Sequence, residues 1–368
     1  MTPLNGLKVV ELARILAGPW IGQSLADLGA DVTKVEAPSG DDTRQWGPPF
    51  VERDGDRSAA YFYSANRGKR SVVADFRTPE GLAKVRALVA EADILIENFK
   101  VGGLAKYQLD YASLAELNPR LIYCSITGFG QDGPYAHRAG YDFMIQGMSG
   151  LMSITGEANG MPQKVGVAVT DIVTGLYGTI GVLAAVEQRH RTGRGQHVDM
   201  SLLDCATALL ANQAMNQLVT GQPPVRQGNA HPNITPYQVF ATSDGHVIIA
   251  VGNDGQFERL CTVLDLPGTA ADPRFASNAA RVAHREVLTE LLSGRIARWG
   301  SDPLLTALEA QGVPAGPINR LDQVFADPQV LARGLEISPE GVPGVRGPWR
   351  FSDADLALDR SAPVLPCG

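Results

Sequence analysis

The sequence predicts an α/β protein built on a Rossmann-like parallel sheet, together with a second, smaller α+β domain. Over the first 130 residues, short β-branched runs alternate with segments of helical period, which is typical of βαβ units. Strands are predicted at 7–12, 31–36, 94–96 and 121–126, and a long helix at 172–189. A strand pair near 239–242 and 246–251 then follows a proline-rich stretch and indicates the second domain.

These changes of pattern give the predicted domain boundaries. Residues 1–200 form the large domain, which residues 325–368 complete, and residues 225–320 form the small domain. Segments 201–224 and 321–324 are predicted to link them. The length of 368 residues fits two domains of roughly 150 residues each.

Charge and hydropathy exclude two classes of partner. The chain has 32 Lys and Arg against 39 Asp and Glu, and its net charge of −7 gives no general attraction to nucleic acid or anionic membranes. The longest apolar run, 176–186, is interrupted by Gly178 and Gly181 and is shorter than the ~20 residues that cross a bilayer. We therefore expect neither a nucleic-acid partner nor a membrane partner.

The cysteines indicate the compartment. They lie far apart and have no metal-binding spacing with the histidines. We therefore predict a reducing, cytoplasmic location and no metal site. The four are Cys124, Cys205, Cys261 and Cys367.

Asp171 is the candidate for covalent chemistry. It follows the apolar run 167–169 and stands at the start of a predicted helix. An aspartate there can cap the helix, which stabilises it by about 1 kcal/mol. It can also be a carboxylate that the helix N-terminus keeps ionised, with Gly175 and Gly178 leaving room for a ligand. An ionised carboxylate in a water-poor site is a competent nucleophile toward an acyl group, so both interpretations stay open.

A glycine-rich segment follows the predicted strand at 121–126. Gly128, Gly130 and Gly133 match the spacing of a dinucleotide-binding fingerprint. That fingerprint requires a helix to begin at the third glycine, whereas Pro134 follows Gly133. We interpret the segment as a turn at the carboxyl end of a strand, which is where ligands bind in open α/β sheets.

The basic residues near the amino-terminal turns allow two interpretations. By default they form a solvated face, but their position after predicted strands also fits a cradle for phosphates inside an acidic protein. The residues concerned are Arg14, Lys34, Arg44, Arg67, Lys69, Arg70, Arg77, Lys100 and Lys106.

Several segments, taken together and in order, resemble family III CoA-transferases, the CaiB/BaiF group. They are LNGLKVVEL at 4–12, LGADVTKVE at 28–36, GDDTR at 40–44, NRGKR at 66–70, ENF at 97–99, SITGFG at 125–130, RAGYD at 138–142 and GVPAGP at 312–317. The resemblance covers nearly the whole chain. It implies an interlocked homodimer that acts on acyl-CoA and carboxylic acid substrates, with no permanently bound cofactor and with the CoA thioester as a substrate.

The resemblance also implies a mechanism. The family's nucleophile is an aspartate after a small-apolar segment, and Asp171 in VTDIVTG matches it. The implied reaction is a ping-pong exchange through a mixed anhydride and an aspartyl-CoA thioester. Because each step exchanges acyl groups of similar energy, neither a metal nor ATP is required.

Site residues follow from matching positions. Tyr141 stands where family racemases carry a histidine base for α-proton abstraction, which favours a transferase and puts Tyr141 in the substrate site. Segments 40–50 and 228–238 resemble the branch that moves CoA from succinyl-CoA to glutarate or hydroxymethylglutarate. Arg44, Trp46 and His231 are therefore expected at the substrate, with Arg44 and His231 anchoring its second carboxylate. The residues expected near CoA are Arg14, Ala17, Ala74, Arg77, Asn98, Phe99 and Lys106.

Three alternatives remain at this stage. One is an acyl-CoA racemase or epimerase of the same fold, which Tyr141 disfavours. Another is a formyl-CoA/oxalate-type CoA-transferase, whose glycine-rich mobile loop is not found in the sequence. The third is a CoA-binding protein without catalysis, in which Asp171 would only cap a helix.

Overall fold

The structure is a computed structural model that describes residues 1–366, so Cys367 lies outside the described residues. The chain divides into two compact units. Unit 1 comprises 1–151, 164–222 and 328–366, and unit 2 comprises 152–163 and 223–327.

The elements are numbered in chain order. The strands are β1 Lys8–Glu11, β2 Asp31–Glu36, β3 Phe50–Arg53, β4 Asp56–Ala59, β5 Arg70–Val73, β6 Ile94–Glu97, β7 Ile122–Thr127, β8 His197–Ser201, β9 Tyr237–Ala241, β10 His246–Ala250, β11 Ala315–Pro317, β12 Glu336–Ile337 and β13 Gly344–Val345. The α-helices are α1 Ala17–Asp27, α2 Ala60–Tyr63, α3 Pro79–Ala90, α4 Tyr111–Leu117, α5 Asp142–Met148, α6 Leu151–Ile154, α7 Val169–Thr192, α8 Leu202–Ala208, α9 Ala211–Thr220, α10 Asp254–Val263, α11 Asn278–Ala283, α12 Arg285–Ile296, α13 Ser301–Ala310, α14 Leu321–Ala326 and α15 Pro328–Ala332.

Unit 1 is organised by a six-stranded sheet. Its strand order is β5-β2-β1-β6-β7-β8, and all its pairs are parallel. The predicted α/β class with a parallel sheet is confirmed. The order reverses between β1 and β6, and in open parallel sheets ligands bind at such a switch point, beyond the carboxyl ends of the strands.

Strands β5 and β8 are the two edge strands of this sheet, and the sequence pattern set bounds for neither. Their sequences, RSVV and HVDMS, combine polar with apolar side chains. An edge strand is covered less completely than a central one, so its sequence lacks the continuous apolar run that marks the buried strands β6 and β7.

Both faces of the sheet are covered. Val9 and Ile122 belong to a core on the side of α1 and α7, whereas Val10 and Tyr123 belong to a core on the side of α3 and α4. Neighbouring residues of one strand therefore bury opposite faces, as the alternation of side chains along a strand requires.

Helix α7 begins three residues before its predicted start. Asp171 is consequently the third helical residue, and the N-cap position belongs to Ala168. A Cβ atom at Gly175 would lie 2.8 Å from Cβ of Trp20, and one at Gly178 would lie 2.5 Å from Cδ1 of Ile21. The two glycines make room for α1, so their interpretation as space for a ligand is wrong.

Within residues 1–366, α7 is the one helix long and apolar enough to cross a membrane. It has 24 residues, and its most apolar window has a mean hydropathy of 1.6. Thr174, Val182 and Val186 are buried in unit 1, where the helix packs on α1 and the sheet. We therefore assign α7 as a core helix.

Unit 2 contains a three-stranded antiparallel sheet in the order β11-β10-β9. Val247 and Ile249 of β10 are fully buried, and the helices of the unit supply Leu260, Leu288 and Leu304 to the same core. This core shares no residue with the cores of unit 1.

The predicted linkers differ from the structure. Segment 201–224 contains helices α8 and α9 and belongs mainly to unit 1, because Leu202 and Ala206 are buried in its core. Segment 321–324 lies within α14, and unit 2 also includes 152–163. Of the helices in these two segments, only α8 is buried in a core.

Candidate active site

A cavity of about 460 Å³ lies at the switch point of the unit 1 sheet. Its walls come from the loops after β1, β6 and β7 and from the first turn of α7. It brings together six of the predicted site residues: Arg14, Ala17, Asn98, Phe99, Tyr141 and Asp171.

The position of Asp171 depends on a second aspartate, Asp142, at the start of α5. The backbone N–H and the hydroxyl of Thr170 donate to Oδ1 of Asp142 at 2.8 and 2.7 Å. Nε2 of the buried Gln146 donates to the other carboxylate oxygen at 2.8 Å. Asp142 therefore holds the first turn of α7. This role of Asp142 was not predicted, because no local sequence pattern pairs residues 28 positions apart.

Asp171 is partly buried, and its environment opposes its charge. Burial and, to a smaller extent, the negative charge of Asp142 together raise the pKa of Asp171 to about 7. The sequence predicts a carboxylate that the helix N-terminus keeps ionised, whereas burial and Asp142 favour its protonated form. Asp171 instead titrates near neutral pH, as is common for carboxyl groups in active sites.

An aromatic pair, Tyr61 and Trp46, is linked to these carboxylates through the electrostatics of Tyr61. Burial raises the pKa of Tyr61, and so do the charges of Asp171 and Asp142, so its hydroxyl stays protonated. Trp46 is 47% exposed and packs edge-to-face on Tyr61, with ring centroids 5.3 Å apart. Trp46 was predicted as a site residue, whereas Tyr61 was not, because it stands in the short apolar segment 59–63 with no motif around it.

The glycine-rich segment serves a close backbone crossing. A Cβ atom at Gly128 would lie 2.5 Å from Cα of Gly140, so both positions require glycine. This crossing brings Tyr141 and Asp142 to the end of β7. No helix begins at Gly133, and the interpretation of the segment as a turn is confirmed.

Arg14 and Asn98 tie two walls of the cavity together. The backbone N–H of Arg14 donates to Oδ1 of Asn98 at 2.9 Å, and Nδ2 of Asn98 donates to the carbonyl of Arg14 at 2.7 Å. The Arg14 guanidinium lies 5.5 Å from the ring centroid of Phe99. The loops after β1 and β6 are thereby joined across the switch point.

Three residues predicted near CoA do not line this cavity. Ala74 is buried in the core, and Arg77 and Lys106 are exposed. The ring of Phe76 packs against that of Phe99, with centroids 5.7 Å apart, so the segment carrying Ala74 and Arg77 adjoins the Phe99 wall.

Arg44 does not have the predicted role. It is 2% exposed and donates to both carboxylate oxygens of Glu36, at 2.8 and 2.7 Å. It also donates to Ser58 at 3.0 Å, pairs with Asp56 at 3.3 Å and lies over the ring of Phe62. Because these partners already occupy the guanidinium, the prediction that Arg44 anchors a substrate carboxylate is wrong.

Other basic residues of the predicted phosphate cradle are also buried. Lys34 and Lys69 pair with Glu11 at 2.9 and 2.8 Å, and Arg67 pairs with Asp27 at 2.6 Å. These ion pairs belong to the fold. The basic residues that line the cavity are Arg14, Lys100 and Arg138.

His231 lies in unit 2. Its Nδ1 accepts a hydrogen bond from the backbone of Asn233 at 3.1 Å, and its ring centroid is 5.3 Å from that of Tyr237. Burial and the positive charge of Arg285 lower the pKa of His231, which favours the neutral imidazole. Its role as a carboxylate anchor stays a prediction. Within the described residues, no histidine belongs to a group of three potential metal ligands.

Comparison with known proteins identifies the family and agrees with the fold. The profile of CoA-transferase family III matches residues 4–366. The succinate–glutarate CoA-transferase of Agrobacterium fabrum is 59% identical over 99% of this chain and 93% of its own length. The human succinyl-CoA:glutarate CoA-transferase is 42% identical over 99% of this chain and 83% of its own. The crystal structure of a CaiB/BaiF family protein from Brucella suis superposes with a TM-score of 0.90 at 64% identity, covering 99% of this chain and 96% of that one.

The fold and the comparisons thus define an enzyme that transfers CoA between carboxylic acids. The chain belongs to CoA-transferase family III.

The burial of Arg44 gives a first prediction. Arg44→Ala leaves the carboxylate of Glu36 buried without its partner, so we expect the free energy of unfolding to fall by about 3–5 kcal/mol. Chemical denaturation followed by circular dichroism measures this change. Among folded molecules, the ratio of activity with glutarate to activity with valerate should not change.

Arg77→Ala is the matched control, since Arg77 forms an exposed pair with Asp75. Its melting temperature should equal that of the wild type. Unchanged stability of Arg44→Ala together with a selective loss of dicarboxylate activity would instead restore Arg44 as a substrate anchor.

Proposed function

We propose that this CoA-transferase moves CoA from succinyl-CoA to a dicarboxylic acid such as glutarate, with Asp171 as the nucleophile. The observation that carries the proposal is the carboxylate of Asp171 in a cavity at the sheet's switch point, among the basic residues Arg14, Lys100 and Arg138. The acids are inferred from the names of the relatives from Agrobacterium fabrum and human.

The first half of the reaction loads CoA onto the enzyme. A carboxylate oxygen of Asp171 attacks the thioester carbon of succinyl-CoA, and the C–S bond breaks to release the CoA thiolate. The thiolate then attacks Cγ of Asp171 in the resulting mixed anhydride. The bond from Cγ to the bridging oxygen of the anhydride breaks. Succinate leaves with that oxygen, and an aspartyl-CoA thioester remains.

The second half repeats these steps in reverse. The acceptor carboxylate attacks Cγ of Asp171 and displaces the thiolate. The thiolate then attacks the acceptor's acyl carbon, which releases the Asp171 carboxylate and the new acyl-CoA. Every step converts one acyl derivative into another, so the reaction requires no proton donor, metal or ATP.

Two features of the cavity support this chemistry. Desolvation of Asp171 leaves its ionised form poorly stabilised, which favours attack on the thioester. Tyr61 feels the charge of Asp171 and keeps its hydroxyl protonated, which makes it our candidate donor to an oxygen on which negative charge develops.

The covalent intermediate is tested directly. We expect wild-type protein incubated with succinyl-CoA to gain the mass of CoA less one water, on the peptide that contains Asp171. Asp171→Asn should give no adduct and should lose at least 10³-fold in transfer activity, because the amide cannot attack the thioester. Intact-mass and peptide mass spectrometry measure the adduct.

Asp204→Asn is the matched control, since Asp204 also lies in the first turn of a helix but is exposed. It should form the adduct normally. An adduct on another residue, or full activity of Asp171→Asn, would remove Asp171 from the mechanism. Uptake of deuterium from solvent at the α-carbon, with no exchange of CoA, would point to a racemase instead.

The pKa of Asp171 predicts the pH dependence. The pKa lies near 7 rather than at 3.8, so the ionised fraction rises as pH increases through 7. We expect kcat/KM for succinyl-CoA to fall tenfold per pH unit below about pH 6, as measured by steady-state kinetics. Asp142→Asn keeps an oxygen that accepts from Thr170 but removes the negative charge beside Asp171. In this variant, the fall of kcat/KM at acid pH should therefore begin at a lower pH. A flat profile from pH 5 to 8 would contradict this assignment.

We also propose that the active enzyme is a homodimer, interlocked as the family resemblance implies. An unpartnered apolar face of unit 1 supports an association of this kind. Leu176, Tyr177 and Ile180 of α7 are 41%, 44% and 63% exposed, and Phe143 and Met144 of the neighbouring α5 are 59% and 36% exposed. A contiguous group of exposed, large apolar side chains on a globular chain commonly marks an interface.

Light scattering after gel filtration tests the dimer. Wild-type protein at micromolar concentration should have twice the mass of the chain. Ile180→Glu puts a charge on the apolar face and should lower that mass toward one chain, whereas Leu117→Glu, at an exposed position of α4, should not. A wild-type mass of one chain would overturn the proposal.

A further inference from the structure

Three neighbouring strands of the sheet carry a row of polar side chains that the proposed reaction does not use. Glu97 of β6, Ser125 of β7 and Asp199 of β8 are register partners, so they lie side by side on one face, and His197 of β8 lies on that same face. This face otherwise packs an apolar core with Leu95 and Tyr123. Polar groups at such a position need partners, because unpaired buried polar groups are costly.

The partners form an ordered chain of hydrogen bonds. Glu97 and Ser125 lie side by side as register partners on adjacent strands, and the Ser125 hydroxyl lowers the pKa of Glu97 as a donor toward its carboxylate. The single proton of this hydroxyl is then in use, so the oxygen of Ser125 accepts from Nε2 of His197 at 2.8 Å. The imidazole stacks on Tyr111 and contacts the edge of Tyr123, with centroids 5.2 and 5.4 Å away, which fixes the plane of the ring.

The chain ends at the cavity wall. The backbone N–H of Phe99 donates to Oε2 of Glu97 at 2.7 Å. Phe99 lines the cavity, and Asn98 holds the backbone of Arg14 on the opposite side of the switch point. The carboxylate of Glu97 is thus the support from which the loop after β6 and, through Asn98, the loop after β1 are positioned.

The row also supports the loop after β7. Oδ2 of Asp199 accepts from the backbone of Gln131 at 2.9 Å, and the hydroxyl of Thr127 accepts from Gly130 at 2.9 Å. All three loops around the cavity are therefore tied to polar side chains at the ends of the strands.

We infer that Glu97, Ser125 and His197 act as positioning residues for CoA, because the His197–Ser125 pair keeps the Glu97 carboxylate directed at the N–H of Phe99. The inference rests on the proposed function, in that it takes this cavity to be the acyl-CoA site. None of the three residues lines the cavity, so their effect on CoA passes through Asn98, Phe99 and Arg14.

The electrostatics of Glu97 support the direction of the effect. Burial raises the pKa of Glu97 to about 7, and the hydrogen bonds from Ser125 and Phe99 oppose that rise. Removal of the Ser125 hydroxyl therefore favours the protonated carboxyl group. A protonated oxygen is a poorer acceptor for the N–H of Phe99, so the loop is held less firmly.

Binding of free CoA, measured by isothermal titration calorimetry, tests the inference without turnover. Ser125→Ala removes the link, and His197→Phe keeps the stacked ring but removes the N–H donor. Both should raise the Kd for CoA, and the KM for succinyl-CoA, about tenfold, and should leave kcat and the KM for glutarate within twofold. His197→Gln, which restores a donor, should recover part of the affinity.

Thr179→Ala is the matched control, because the Thr179 hydroxyl is also buried in unit 1 but bonds only within α7. It should not change the Kd for CoA. Equal losses with both substrates, an unchanged Kd in Ser125→Ala, or the same shift in Thr179→Ala would overturn the inference.

The outcomes separate this inference from the proposed function. An adduct on Asp171 with no effect of Ser125→Ala rejects the positioning role alone. A tenfold loss of CoA affinity in Ser125→Ala, with no adduct on Asp171, rejects the nucleophile alone. Failure of the wild-type protein to bind CoA overturns both.

Discussion

The hydrogen bonds between Asp142 and Thr170 are the constraint on which the site depends. They join the start of α5 to the start of α7, so that Asp171 reaches the cavity wall at a fixed position on a rigid helix. The same carboxylate places a negative charge near Asp171 and helps to raise its pKa. One side chain therefore both positions the candidate nucleophile and tunes its ionisation.

The basic residues of this acidic chain form two groups with different functions, one buried in the fold and one exposed around the cavity. Lys34, Arg44, Arg67 and Lys69 neutralise buried carboxylates, and those ion pairs, together with further hydrogen bonds, offset their cost of desolvation. Arg14, Lys100 and Arg138 around the cavity are exposed and accessible to an anionic ligand, although Arg14 also pairs with the exposed Asp42 at 3.2 Å. A net charge of −7 thus says little about a local site, because much of the positive charge is already paired inside the fold.

The sequence was sufficient for the central strands and for the prominence of Asp171, since hydrophobic periodicity is a local signal. Strand β2 has its predicted bounds. The edge strands, the pairing of Asp142 with Thr170 and the proximity of Tyr61 to Asp171 depend on contacts between distant segments. Arg44 shows this limit of sequence-based prediction most clearly, because a motif can identify a position but does not indicate whether its side chain is buried.

The raised pKa of Asp171 joins the stability of the fold to its chemistry. A carboxyl group whose pKa is higher in the folded than in the unfolded chain contributes less stability as pH rises from about 4 toward 7, since ionisation then opposes burial. Interactions elsewhere in the fold offset this loss of stability, among them the packing of Gly175 and Gly178 against α1. A fully solvated aspartate would cost the fold nothing, but water would stabilise its charge before any attack on a thioester. The burial that weakens the fold at neutral pH is therefore the property that makes this carboxylate suitable as a nucleophile.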